Sequence, residues 1–167
     1  MKLRGRVFRY GKDVNTDLII PARYLNIIDV KEQATHCMED LDPEFAAKVK
    51  PGDFVVAEEN FGCGSSREEA PLMLKVCGVS AVIAKSFARI FFRNAINIGL
   101  PVFESAAAVD AATDGDELEV DTDSGVIINL SKGQEYQAAP LPEFIQGIIK
   151  AGGLVEYVRT RVQAQST

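Results

Sequence analysis

The residues that could do chemistry gather in one short stretch, ENFGCGSSREEA, residues 59–70. Two glycines and two serines precede an arginine where a β-branched run, DFVVAEE (53–59), hands over to helical spacing. Backbone N–H groups at a strand-to-helix junction point outward and favour an anion. Arg67 adds a planar fork matched to a carboxylate or phosphate. Such a loop would hold a small anionic substrate. It is neither a P-loop, since no lysine follows Gly64, nor a nucleophile elbow, since neither Ser65 nor Ser66 has glycines at both flanking positions.

A structural reading of the same residues stands beside this one. Ser66 with Glu69, or Ser65 with Glu68, fits a capping box, which would tie the hydroxyls up at a helix start. Pro71 opposes it: with Ser66 as the cap, Pro71 falls at the fifth helical position, where a missing N–H and a ring clash cost about 3 kcal/mol. A helix starting two or three residues later tolerates Pro71 in its first turn and leaves both hydroxyls free.

Elsewhere the reactive side chains are sparse. His36 is the only histidine, which leaves little room for a histidine-based triad or a multi-histidine metal site. Cys37, Cys63 and Cys77 have no CxxC or CxxH spacing, so neither a disulfide framework nor a self-contained metal site follows, and reduced thiols are expected. Arg89 and Arg93 lie four apart and read as partners in structural ion pairs, or less readily as facing a partner chain. Met73, Phe91 and Phe92 read as core.

The elements that must position the loop follow from periodicity. Residues 3–9 read as a strand, and Leu18–Ile20 as a short strand entering a functional loop. Residues 31–50 carry helical spacing in two pieces, EQATHCMED and PEFAAKVK. After the strand at 53–59 and its glycine loop come a helix ended by Gly78, a strand (79–85), a helix stopped by Gly99 and a strand (100–105). Strands alternating with helices imply parallel pairing. Beyond Asp110 the texture becomes that of an antiparallel meander (DGDELEVD, VIINL, EYQAAP), followed by a helix from Pro142 to about Lys150, a Gly152-Gly153 break and a last helix through Tyr157. The expected architecture is one α/β domain over 1–167, parallel βαβ units joined to an antiparallel β layer, with a flexible tail from about 161.

The net charge of −6 repels polyanions, so nucleic acid is disfavoured as a partner. No apolar run approaches the roughly 20 residues that span a bilayer, and no signal core follows the charged Lys2, Arg4 and Arg6, so no membrane contact and a cytoplasmic location are expected.

NFGCGSSREEAPL, then AVIAKSFARIFFRNAINIGLPV, together with NTDLIIPARYL near the start, resembles the small-subunit family of the 3-isopropylmalate dehydratases, a branch of the aconitase family. The resemblance runs over essentially the whole chain and implies the swivelling β/β/α domain. It also implies a large partner subunit carrying a 4Fe-4S cluster, in a heterodimer or heterotetramer, with no cofactor or metal on this chain. The implied reaction is dehydration and rehydration of a 2-hydroxy dicarboxylate to its 3-hydroxy isomer, a step of leucine biosynthesis. By this likeness Ser65 is the catalytic base, Arg67 the substrate-carboxylate clamp, and Ser66 and Gly64 further substrate-facing groups. Asp17 would position or shuttle protons; the alternative, favoured less, is that Asp17 and Asn15 simply stabilise a turn.

The likeness makes Arg23, Tyr24, Leu25, Asn26 and Ile27 a specificity loop that meets the variable group of the substrate. Relatives acting on tricarboxylates carry an arginine where Asn26 stands, whereas Asn26-Ile27-Ile28 offers no cation. An isopropyl group there gains roughly 0.8 kcal/mol per buried methylene-sized unit, while an unpaired carboxylate loses on the order of several kcal/mol. Arg23 weakens this inference, because its direction cannot be read from sequence. Homoaconitase and 2,3-dimethylmalate dehydratase small subunits therefore stay open, as does a non-catalytic anion-binding module; a serine hydrolase is disfavoured.

Overall fold

A computed structural model describes residues 1–166. The strands are β1 (Lys2–Arg9), β2 (Phe54–Ala57), β3 (Ala81–Ala84), β4 (Val102–Glu104), β5 (Glu117–Asp121), β6 (Val126–Asn129) and β7 (Gln134–Gln137). The helices are α1 (Thr16–Ile19), α2 (Val30–Ala34), α3 (Phe45–Lys48), α4 (Glu69–Val76), α5 (Arg89–Asn97), α6 (Ala106–Ala111), α7 (Glu143–Ala151) and α8 (Leu154–Gln165).

All seven strands join one sheet in the order β4-β3-β2-β1-β5-β6-β7. The half from β4 to β1 is parallel and the half from β1 to β7 antiparallel, so parallel βαβ units join an antiparallel β layer as expected. β1 is the seam, pairing Val7 with Phe54 in parallel on one side and Gly5 with Leu118 antiparallel on the other. Sequence and burial agree: FVVA and AVIA are buried on both faces, as inner parallel strands must be, while ELEVD alternates between buried and half-buried.

α4 and α5 each return the chain to the next parallel strand and bury Ala70, Pro71, Met73 and Leu74, and Phe91, Ala95 and Ile96, respectively. Phe61, near the start of the loop after β2, meets Phe91 edge to face with ring centroids 5.1 Å apart, which fixes the catalytic-loop candidate against α5. Phe92 packs against the same core. Among the described residues no helix is long and apolar enough to cross a membrane.

The structure departs from the sequence reading at four places. Leu18–Ile20 is not a strand: the Asn15 side chain accepts the Leu18 N–H at 2.9 Å and starts α1, a local cap overriding the β-branched run. The first helical piece stops at Ala34 and continues as turns through residue 41, with Met38 at a positive φ of 64°. Residues 106–111, left without an element by periodicity, form α6 under a Ser105 cap. The last helix also runs past Tyr157 to Gln165.

Candidate functional site

Three hydrogen bonds stitch the glycine loop to the segment before α1. Gly62 N–H donates to the Val14 carbonyl at 2.7 Å, Thr16 N–H to the Cys63 carbonyl at 2.8 Å, and Thr16 Oγ1 to the Ser65 carbonyl at 2.8 Å. Gly62 must be glycine: its φ is 82°, and a Cβ would stand 2.2 Å from Phe91 Cγ. Gly64, at φ 91°, turns the chain again beside Asn15 and Thr16.

α4 begins at Glu69, which places Pro71 in the first turn and removes the capping box, since Glu68 is the N-cap and makes no side-chain cap bond. The Ser65 and Ser66 hydroxyls are exposed and have no hydrogen-bond partner among the described residues. The amides of Ser65, Ser66 and Arg67 likewise donate to nothing among those residues. Ser65, Ser66 and Arg67 line a cleft of about 270 Å³, closed on the other side by Arg89, Phe91 and Asn94 of α5. Free amides, two free hydroxyls and a guanidinium on one concave wall suit a small anion.

Arg67 and Asp17, fifty residues apart, meet here. Arg67 Nη1 donates to Asp17 Oδ1 at 2.8 Å and to the Ile20 carbonyl at 2.9 Å. These bonds fix a side chain that is only 14% exposed, and its Nε and Nη2 donate to nothing among the described residues. Asp17 Oδ1 also accepts the Ala22 N–H at 3.0 Å. The Arg67 hydrogen bond, followed by that amide, holds the Asp17 carboxyl below the usual carboxylate range. Asp17 thus stays ionised and orients the fork, while Asn15 caps α1.

The segment read as a specificity loop divides in two. Arg23 and Tyr24 lie in a 3₁₀ turn, Ala22–Tyr24, and are tied down. Arg23 grips Asp40 through two bonds of 2.9 and 2.6 Å, reaches Glu39 at 3.2 Å, and lies 4.6 Å over the Tyr24 ring. The Tyr24 hydroxyl donates to Glu39, and its ring stacks on His36 at 3.8 Å, with His36 Nδ1 3.1 Å from Glu39. Leu25 packs against the core, Ile27 is half-buried, Asn26 is exposed, and Ile28 is 96% exposed, the most outward large apolar side chain of the segment.

Among the described residues no three His, Cys, Asp or Glu side chains gather into a metal-holding group, and the residues present do not fit a cluster ligand set. Cys37 is buried, and desolvation raises its pKa and that of half-buried Cys63. The ion pairs expected of Arg89 and Arg93 are not formed among the described residues: both are exposed on α5, and Arg89 lines the cleft. Sequence reasoning missed Thr16 and Asn94; the only signal for Thr16 was its place inside the NTD triplet.

Residues 10–106 match the family described as the aconitase C-terminal domain. The chain is 60% identical over 162 residues to the 3-isopropylmalate dehydratase small subunit of Heliobacterium modesticaldum, covering 97% of this chain and 98% of that one. It is 61% identical over 158 residues to the 2,3-dimethylmalate dehydratase small subunit of Eubacterium barkeri, covering 95% and 97%. The crystal structure of 3-isopropylmalate dehydratase from Methanocaldococcus jannaschii superposes with a TM-score of 0.94 at 48% identity, covering 99% of this chain and 98% of that one. The glycine loop and the cleft it lines fall within the matched residues, and the chain belongs to the aconitase C-terminal domain family, among its dehydratase small subunits.

Proposed function

We propose that this chain is the loop-bearing small subunit of a 3-isopropylmalate dehydratase, converting 2-isopropylmalate to its 3-hydroxy isomer with a large partner subunit in leucine biosynthesis. The observation that carries the reading is the free Ser65 hydroxyl beside the Arg67 fork, whose unused nitrogens are held open by Asp17. Arg67 takes a substrate carboxylate through Nε and Nη2. Ser65 Oγ, as an alkoxide base, takes the proton from the carbon next to the one bearing the hydroxyl, and as the carbon–carbon double bond forms the C–O bond breaks and the hydroxyl leaves as hydroxide. Hydroxide then adds to the neighbouring carbon, and the proton held on Ser65 goes to the carbon that lost the hydroxyl, which restores the alkoxide.

A serine hydroxyl is a poor acid, so its alkoxide needs compensation. The unpaired amides of Ser65, Ser66 and Arg67 and the Arg67 charge supply it within one wall of the cleft. Asp17, held ionised, is a weak proton donor and acts in positioning instead. A 4Fe-4S cluster on the large subunit would supply Lewis-acid assistance to the leaving hydroxyl. Asn26, Ile27 and Ile28 meet the isopropyl group; the Eubacterium barkeri relative supports 2,3-dimethylmalate, also uncharged at its variable group, as the second substrate reading.

The test mixes the chain with a cluster-bearing large subunit under anaerobic conditions and follows isopropylmalate isomerisation. The chain alone should be inactive, and Ser65→Ala in the complex should lower kcat by about 10² to 10⁴ with the complex intact. Full turnover by the iron-free chain alone sinks the assignment, and unchanged kcat in Ser65→Ala removes Ser65 as base.

A further inference from the structure

Cys37 and Cys77 take no part in the reaction outlined above, yet the fold brings them together from positions forty residues apart. Cys77 is the C-cap of α4, Cys37 lies in the run of turns after α2, and α2 packs on α4. Both residues converge on one backbone oxygen: the Ala34 carbonyl accepts the Cys37 N–H at 3.1 Å and the Cys77 thiol at 3.4 Å. A side-chain hydrogen bond also joins the two thiols to each other. The pair is asymmetric in access, since Cys37 is 1% exposed while Cys77 is half-buried and meets solvent.

Neither thiol is free to drift from the other. The Met38 N–H, next to Cys37, donates to the Ile19 carbonyl at 2.8 Å and pins the turn to the end of α1. At the other partner, the Cys77 N–H donates to the Met73 carbonyl and the Gly78 N–H to the Lys75 carbonyl, both at 3.0 Å, which closes α4. The bond from Cys37 lowers the Cys77 pKa below the ordinary thiol value against the opposing effect of burial, and burial pushes Cys37 up. One thiol that solvent reaches, with a second held against it and shielded from the medium, is the arrangement of an attacking and a resolving cysteine. Cys63, raised by burial and by the Asp13 charge, has no thiol partner among the described residues.

We propose that Cys37 and Cys77 form an oxidation site of this chain, a dithiol that a hydroperoxide converts to a disulfide tying the turn after α2 to the end of α4. Cys77 Sγ, as thiolate, attacks one peroxide oxygen; the O–O bond breaks, the outer oxygen leaves as hydroxide, and Cys77 becomes a sulfenic acid. Cys37 Sγ then attacks the Cys77 sulfur as its own proton departs. The S–O bond breaks, and the hydroxide released takes that proton and leaves as water. Two thiols have lost two electrons, and the peroxide has been reduced to water. A dithiol reductant reverses the step by exchange. Both cysteines lie away from the residues that line the cleft, so the proposal stands independently of the substrate reading.

The experiment treats the purified full-length chain, reduced and then freed of reductant, with a few equivalents of hydrogen peroxide, alkylates the remaining thiols in denaturant, and reads intact mass and a peptide map. The chain should lose about 2 Da as one disulfide forms, with a single cross-linked peptide pair containing Cys37 and Cys77, and dithiothreitol should restore both thiols. Cys37→Ser should stop at a Cys77 sulfenic acid that dimedone traps. Cys77→Ser should leave Cys37 reduced, and Cys63→Ser should oxidise as wild type does. The wild-type peptide map decides the question even where a variant fails to fold. A cross-link that involves Cys63 or a second chain overturns the proposal. So does Cys77 advancing to sulfinic acid beside an intact Cys37 thiol, or survival of both thiols under peroxide that oxidises a small-molecule thiol in the same tube.

Discussion

Thr16 offers a test of how the loop is held. Its side chain is 3% exposed, and Oγ1 donates to the Ser65 carbonyl at 2.8 Å, so the hydroxyl is spent on the backbone of the proposed base. Thr16→Val keeps the shape and the Thr16 N–H to Cys63 bond but deletes that donor. The Ser65 carbonyl lies on an exposed residue that water can reach, so the stability loss is that of one neutral hydrogen bond, about 1 kcal/mol. For a chain of this size that is about 2 to 4 °C in Tm. The catalytic loss should exceed it, because a displacement of roughly 1 Å at a reacting group costs up to about 10²-fold. Steady-state kinetics of the complex should show kcat falling by about 10- to 100-fold with KM little changed, since Arg67 and Asp17 do not depend on this bond. Thr16→Ser should retain most activity. A Thr16→Val complex with wild-type kcat, measured on protein whose Tm has dropped, refutes the idea that this bond positions Ser65; so does Thr16→Ser failing as badly as Thr16→Val.

Gly62→Ala combines a left-handed backbone with a Cβ driven into the buried Phe91 ring, a cost of about 3 kcal/mol, and thermal melting should show Tm lower by about 6 to 12 °C. Arg67→Lys replaces a fork with a point charge and should raise KM by about tenfold with a smaller effect on kcat. Asp17 is depressed in the folded state, so its contribution to stability is present above its unfolded pKa of about 4 and fades as pH falls through the lower folded value. The Tm gap between wild type and Asp17→Asn should accordingly be widest near neutrality and close on acidification toward pH 3; a gap that stays constant rules out the ionised pair as its source.

What the sequence disclosed depended on the range over which each cause acts. The inner strands were legible because burial on both faces leaves an unbroken apolar run in Phe54–Ala57 and Ala81–Ala84. Pro71 alone located the start of α4 and freed the serines from a capping role. Leu18–Ile20 misled because one Asn15 side chain decides between strand and helix for four residues, and propensity does not register a cap of that kind. The Arg67–Asp17 pair could be named only through the likeness to a family, since fifty residues separate its members. The direction of Arg23 was out of reach for a related reason: its partners arrive on a turn pinned by the Met38 to Ile19 bond, a tertiary contact with no local sequence signature. Ion pairs expected of Arg89 and Arg93 failed because i, i+4 spacing places the two arginines together without supplying an acid for either.

The seam position of β1 bears on how the nascent chain survives its own synthesis. β1 can pair with β2 once about fifty residues exist, but its other edge waits for β5, more than a hundred residues downstream. At ribosomal speeds that is roughly 5 to 20 s during which an open strand edge is offered to neighbouring chains. Lys2, Arg4 and Arg6 alternate along that edge, all exposed, and like charges on an unpaired edge discourage a second copy from adding to it. When β5 arrives it brings Glu119 to Lys2 and Glu117 to Arg4, so the side chains that repel other nascent chains are the ones that recognise the correct strand. Neutralising Lys2, Arg4 and Arg6 together would thus be felt as inclusion bodies during expression before it is felt as a lower melting temperature.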